Sequence, residues 1–325
     1  MKFGRLGELV GAVVLCATGP MSISAQEYPS RPITVVVGVA PGGITDVSTR
    51  IYVEALSKGL GQKIVVENRP TGGGTVAAIA TQNSPPDGYT LLTIIGAQHA
   101  AIPAMQTVAY EPVTGFSPIS LLFRMPSFII VPNDSPAYSV QELLDLGKKK
   151  AGGLTFGSAG FGSTAHLLAA QVSRSTNTPI QFVQYNGGAP LMADLITGRV
   201  DFSFSSFTAS RSNIEAKKLR ALAVDGEVRL PVASSVPTLA EVGLADVRIA
   251  NWFGLVGPAG MPPTVTDRLN AEVQRAARDE TVIKKLTDNG TLISTSSSQE
   301  MGAMMRNEAR EMATLIKELG LQVNK

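Results

Sequence analysis

Ile33-Thr34-Val35-Val36-Val37-Gly38-Val39-Ala40-Pro41-Gly42-Gly43-Ile44-Thr45 carries the decision about the fold. Ile33 to Val39 is a β-branched run without charges, which reads as a strand buried on both faces. Gly42-Gly43 turns the chain. A helical pattern then runs from about Thr45 to Lys58, stopped by Gly59 and Gly61. The unit recurs about 120 residues later: Gly157-Ser158-Ala159-Gly160-Phe161-Gly162-Ser163-Thr164 follows a strand beginning at Leu154 and leads into a helix. Both stretches fit G-x-A-x-x-G-x-T. Glycines let another group approach the backbone closely, and a helix start presents unbonded N–H groups and positive dipole charge. Each loop is therefore a candidate anion cradle. Gly-rich strand-to-helix turns are also common in α/β proteins without any ligand. Two matching loops in two equivalent halves favour a ligand gripped from both sides.

Working outward, strands and helices alternate. Lys63 to Val66 and Leu91 to Ile95 read as the second and third strands. A short helix over Val76 to Thr81 lies between the glycine run Gly72-Gly73-Gly74 and the turn Pro85-Pro86-Asp87-Gly88. This succession predicts an α/β fold with mostly parallel sheets covered by helices. Ala100 to Pro118 is less regular. Phe128 to Val131 is a strand and Val140 to Lys149 a helix, with Lys148 to Lys150 as its solvated end. The second series then runs through a helix to about Ser175, Ile180 to Val183, Ala189 to Thr197, Val200 to Phe204 and Leu219 to Val224. Trp252 to Val256 is one more strand, and the last 60 residues are mainly helical with a strand candidate at Leu292 to Thr295.

The chain has 325 residues, 44% hydrophobic and only 17% charged, which suits a sizeable core and excludes disorder. The net charge is +2 without basic clusters, so no nucleic-acid footprint is present. Residues 1–25 read as a secretory signal: Lys2 and Arg5, an apolar stretch from Leu9 to Thr18, then small residues up to Ala25. The expected mature protein is soluble and periplasmic. A lipid anchor on Cys16, the only cysteine, would need a small residue before it, where Leu15 stands. The mature chain would then hold no thiol, as suits an oxidising compartment.

Enzyme signatures are mostly missing. There is no G-x-S-x-G, no G-x-x-x-x-G-K-[ST] and no H-E-x-x-H, and Gly42-Gly43 does not continue as G-x-G-x-x-G. Metal-ligand spacing is absent, and neither a metal nor a cofactor is expected. Of the two histidines, His99 falls near the end of the third strand. His166 is placed either as a base for Ser163 or Ser158, as in an exported α/β serine hydrolase, or as a structural or cleft-lining histidine. Asp46 and Arg50, four apart at a helix start, suit an ion pair. Asp46 also suits a brace for the Gly42-Gly43 loop, and both readings stay open.

The mature chain resembles, over almost its whole length, the substrate-binding proteins of tripartite tricarboxylate transporters, the Bug receptors. The resemblance rests on Tyr28-Pro29-Ser30-Arg31-Pro32-Ile33, Pro41-Gly42-Gly43-Ile44-Thr45-Asp46, Val66-Glu67-Asn68-Arg69-Pro70 and Pro86-Asp87-Gly88-Tyr89-Thr90-Leu91. It continues in Gly160-Phe161-Gly162-Ser163-Thr164-Ala165-His166-Leu167, Leu219-Arg220-Ala221-Leu222-Ala223-Val224 and Pro237-Thr238-Leu239-Ala240-Glu241-Val242-Gly243. It implies a two-domain, type II-like periplasmic binding-protein fold with the ligand in the interdomain cleft. One domain would hold residues 26–122 and 225–325, the other residues 123–224.

The resemblance implies a non-catalytic monomeric receptor for a small organic carboxylate (a di- or tricarboxylate or an aromatic acid). The ligand would pass to membrane permease subunits or to a signalling partner. Carried over residue by residue, the carboxylate contacts fall on Gly42, Gly43, Asp46, Gly162, Ser163 and Thr164, and less directly on Gly96 to Gln98. No residue in Ala40 to Thr45, Ser158 to Thr164 or Ser205 to Ser206 is basic. The expected donors are neutral: N–H groups at helix starts and the hydroxyls of Thr45, Ser158, Ser163, Thr164, Ser205 and Ser206. Phe161 completes the candidate set. Many relatives carry an aspartate where this chain has Ser205, which speaks against an amino-acid ligand.

Overall fold

The computed structural model describes residues 1, 28–160, 162–249 and 251–322. The export signal expected over residues 1–25 lies, apart from Met1, outside the described residues, and so does Phe161. The elements run β1 (Ile33–Val37), α1 (Ile44–Leu60), β2 (Ile64–Asn68), α2 (Thr75–Gln82), β3 (Thr90–Ile95), α3 (Ile102–Met105), β4 (Phe116–Arg124) and β5 (Ser127–Pro132). Then follow α4 (Val140–Lys149), β6 (Leu154–Ser158), α5 (Thr164–Thr176), β7 (Ile180–Gln184), α6 (Gly188–Ile196), β8 (Ser203–Ser206), α7 (Phe207–Glu215) and β9 (Leu219–Val224). The chain closes with β10 (Trp252–Pro258), α8 (Pro263–Ala276), α9 (Glu280–Asp288), β11 (Leu292–Ile293) and α10 (Ser298–Glu318). A 3-10 turn over Thr71–Gly74 precedes α2, and a π-helical stretch over Ala97–Ala101 runs into α3.

Local chemistry sets the elements. The valines of β1 are buried on both faces of the sheet. In α1, Tyr52, Val53, Leu56 and Leu60 recur at helical spacing and are buried. Ser139 caps α4 by accepting from the Glu142 N–H, and Ser297 with Glu300 forms a reciprocal capping box at the start of α10. Lys150, expected in solvent beyond α4, lies 2.6 Å from Asp201, whose carboxylate also accepts from the backbone and hydroxyl of Thr155.

Two bodies of sheet result. The first has the order β11-β4-β10-β3-β1-β2. Only β1, β2 and β3 are mutually parallel; β10, β4 and β11 each run antiparallel to their neighbours. The second body contains β8-β5-β9, all antiparallel, and the parallel pair β6-β7. A bridge from Phe156 to Phe202 joins these pieces. The α/β two-domain fold is as the sequence implies, but the sheets are mixed rather than mostly parallel. In the first body β10 and β11 run against β1–β3, and in the second β5 runs against β8 and β9. Apolar periodicity reports burial, not direction, so that reversal left no trace in the pattern.

Strand β4 was not anticipated, because Pro118 inside it argues against a sheet strand. Opposite β10, the register slips between Leu255 and Val256, pairing Ser120 and then Pro118 and skipping Ile119. The proline thus sits at a bulge, where its missing N–H does least harm.

The chain passes between bodies at Met125–Pro126 and again around Asn251. These crossings are stitched together: Met125 N–H donates to the Asn251 carbonyl (3.0 Å), and the Asn251 amide donates to the Met125 carbonyl (2.9 Å). Residues 225–249, expected with the first body, pack with the second. Leu230 clusters with Phe128 and Leu195, and Leu239, Leu244 and Val247 cluster with Phe156 and Leu168. Helix α10 touches both bodies. Met301 and Met305 pack with Trp252 under the first sheet, while Met312 and Ile316 join the cluster around Phe156.

Candidate functional site

The first Gly-rich loop joins β1 to α1. Gly43 precedes the first helical residue and has no side chain to cap it. Asp46, buried at 2% exposure, takes the Gly42 N–H at 2.9 Å, the Asn68 amide at 2.8 Å and the Arg50 Nε at 3.0 Å. The same Asn68 amide donates to the Val39 carbonyl at 3.0 Å. Burial pushes the Asp46 carboxyl up. The hydrogen bonds from Arg50, Gly42 and Asn68, with the Arg50 charge, outweigh burial and hold it below the usual carboxylate range. Both open readings of Asp46 are thus realised at once: it pairs with Arg50 and ties down the loop. Thr45 is buried beside it.

At the end of β3, Gly96 starts the π-helical stretch. Gln98, expected as a ligand contact, points inward and is 1% exposed. Its Oε1 accepts from the Ile95 N–H and its Nε2 donates to the Gly73 carbonyl, both at 3.1 Å. Gly38 and Gly74 make room for that amide. A Cβ on Gly74, at φ +89°, would lie 1.3 Å from the Gln98 Nε2, and one on Gly38 would lie 2.4 Å from it. Gln98 therefore ties the end of β3 to the three-glycine turn, packed against Gly38 at the end of β1.

The second Gly-rich loop joins β6 to α5. The Ser163 hydroxyl caps α5 by accepting from the His166 N–H, and it lies 3.2 Å from the Ser158 hydroxyl. The Ser158 hydroxyl donates to the Gly160 carbonyl at 2.8 Å. Gly162 (φ +69°) donates its N–H to His166 Nδ1 at 2.9 Å. His166 is buried, which lowers its pKa, and its Nδ1 acts as an acceptor, so the ring is neutral. Thr164, half-buried, is the first helical residue. The third loop is the end of β8, where Ser206 caps α7 and Ser205 lies across from Phe128 in β5.

These loops lie along one connected rim. A Cβ on Gly162 would fall 2.1 Å from the Met105 methyl, so the second Gly-rich loop abuts α3 of the first body. Ile102 of α3 lies against Gly73. On the other side, the turn after α9 touches both bodies: Thr291 lies 3.5 Å from Ser48 of α1, and the Thr208 hydroxyl of α7 donates to the Asn289 carbonyl at 2.7 Å. Contacts between the bodies thus tie the α5 start to α3 and the α7 start to the turn after α9, and the loops before α1, α5 and α7 hold no basic residue. Such an array stabilises anions through N–H groups and aligned dipoles.

A family profile described as the tripartite tricarboxylate transporter family receptor (TctC) matches residues 48–321. The chain belongs to this receptor family. Solved structures similar to it include the periplasmic binding protein BugD (30% identity, TM-score 0.76, covering 91% of this chain and 99% of that one). Rpa4515 of R. palustris with adipate is 32% identical, with a TM-score of 0.79 and coverage of 90% and 99%. MatC of Rhodopseudomonas palustris with bound malate is 30% identical, with a TM-score of 0.75 and coverage of 89% and 100%. Within this receptor fold, the braces Asn68 and Met105 were absent from the sequence-derived set, and Gln98 stood in it as a ligand contact rather than a brace. Asn68 had a visible signal, the Asn-Arg-Pro at the end of β2; Met105 acts across a turn that no local pattern announces.

Proposed function

We propose that this receptor captures a small organic dicarboxylate in the periplasm, between a first lobe (residues 28–124 and 252–318) and a second (125–249). One carboxylate sits on the α1 loop through Gly43 and Thr45, beside Gly42, whose N–H Asp46 holds. The other sits on the α5 and α7 starts through Thr164 and Ser205, beside Gly162, whose N–H His166 holds. The observation that supports this is the set of three helix N-termini whose loops hold no basic side chain. Adipate and malate in similar receptors support the class. Ser163, Ser158, Ser206, Asp46 and Gln98 shape the loops rather than touch the ligand. The lobes close about the Met125–Asn251 stitch, and the loaded form is handed to permease subunits.

Catalysis is not part of this reading. His166 Nδ1 accepts from the Gly162 N–H and the Ser163 hydroxyl caps a helix, an arrangement that does not favour a serine–histidine nucleophile. A thermal-shift screen of adipate, malate, succinate, citrate, benzoate and glutamate, followed by calorimetric titration, tests the assignment. Stabilisation by a dicarboxylate supports it by mass action. Stabilisation by glutamate alone, or turnover of p-nitrophenyl acetate that a Ser163→Ala change abolishes, refutes it. Export is tested by the intact mass of the secreted protein, which is expected to lack residues 1–25.

A further inference from the structure

Behind the crossings lies a cavity of about 920 Å³ that contains none of the cleft residues. Its walls come from both bodies. Arg124, Trp252, Ile293 and Glu308 belong to the first, Asp225 and Ile249 to the second, and the end of α10 closes it. Cavities that bury a whole small molecule span roughly 300–1,000 Å³.

The lining has a definite chemistry. Five carboxylates (Asp225, Glu227, Asp246, Glu308 and Glu311) face two guanidinium groups, Arg124 and Arg248. One of those cations is already engaged, since Arg124 pairs with Glu227 at 3.2 Å. Between the charges lie apolar walls such as Met304, Met312 and Ile249. The Asp225 carboxyl is buried. Its Oδ1 accepts from the Ser127 N–H, but among the described residues its Oδ2 meets no hydrogen-bond donor. A buried carboxylate oxygen without a donor is costly unless a cation or donor meets it. Glu308, half-buried, receives only the Trp252 indole N–H among the hydrogen bonds of the described residues. Burial pushes both acids up, each to about 7.

We propose that this hinge cavity is a second binding site, for a small organic ammonium ion whose charged head meets the Asp225 carboxyl within the acidic lining and whose apolar body lies along the methionines of α10. Because its walls belong to both bodies, an occupant contacts both sides of the pivot. Its binding is then linked to that of the cleft ligand, and the linkage is reciprocal.

Trp252 is the only tryptophan of the chain and lines the cavity, so its emission reports occupancy without a label. The probe is hexylammonium chloride, titrated at pH 8 against the full mature chain. Hexanol and hexanoate serve as neutral and anionic matches. A saturable change in emission with hexylammonium, at a Kd of about 1 mM or tighter, is expected, with neither control reproducing it. Asp225→Asn is expected to weaken the response about tenfold or more, and Glu308→Gln, a second variant, is expected to weaken it as well. Preloading the cleft with the best carboxylate is expected to alter the affinity without abolishing the response. The proposal is overturned if hexylammonium gives no saturable change, if hexanol matches it, or if both variants respond like wild type.

Discussion

Changing Asp46 to asparagine separates a brace from a ligand contact. Three donor groups converge on this carboxylate: the Gly42 N–H, the Asn68 amide and the Arg50 guanidinium. An asparagine keeps one acceptor oxygen, and its own NH₂ must face one of those donors. At least one hydrogen bond to a charged group is lost, roughly 1.5–3 kcal/mol, and one donor is left buried without an acceptor, roughly 1–3 kcal/mol more. A loss of about 3–5 kcal/mol without ligand follows, or on the order of 5–10 °C in Tm. The folded-state pKa of Asp46 is depressed, so its contribution is present above the unfolded value of 3.8 and lost as pH falls through the folded value. The gap between wild type and variant should therefore narrow in acid. Affinity should fall about tenfold, because the loop must be ordered on binding. Thermal melts at pH 7 and well below pH 3.8, with calorimetric titration, measure all three. An unchanged melt at pH 7 with a hundredfold loss of affinity would refute the brace, for then Asp46 touches the ligand itself.

Gly74→Ala is expected to lower Tm sharply and weaken carboxylate binding, since its Cβ would overlap the Gln98 amide at 1.3 Å and its φ of +89° disfavours alanine. Adding Gln98→Ala should recover part of the Tm, and no recovery would point to backbone strain alone. Ser163→Ala should cost about 1 kcal/mol of stability as a lost cap and change affinity little, whereas Thr164→Ala should weaken binding about tenfold with little effect on Tm; the reverse pattern would exchange their roles. Asp225, raised from 3.8 to about 7, contributes stability that is full below 3.8 and lost as pH rises through about 7. Asp225→Asn should therefore match wild type near pH 4 and exceed it at pH 8 by up to about 4 kcal/mol, which denaturant melts at the two pH values would show.

Helix α4 and strand β9 were legible to the residue, because each has clean periodicity and clear ends. No element was assigned between Phe204 and Leu219, where Thr208, Ser210, Ser212 and Asn213 are weak helix formers; what makes α7 a helix is the Ser206 cap and the burial of Phe207. The Gly-rich loops were legible as a repeated motif. What each polar group does there was not, because a hydroxyl or amide that can bind a ligand can equally bind its own backbone. Ser158, Ser163 and Gln98 all take the second course, and the choice is made by partners such as Gly73 and His166, which only the folded chain brings into place.

The place of β10 in the first sheet has a consequence for how the chain is made. It lies between β3 and β4, although both are synthesised well over 100 residues earlier. Until Trp252–Pro258 emerges, β3 and β4 each lack the partner that covers their inner hydrogen-bonding edge in the finished sheet. The strands of the second body all lie between Ser127 and Val224 and are made before then, although Met312 and Ile316 of α10 complete its core later. The last sheet to finish is therefore the one that begins the chain, and open edges of that kind are sites for pairing with another nascent copy.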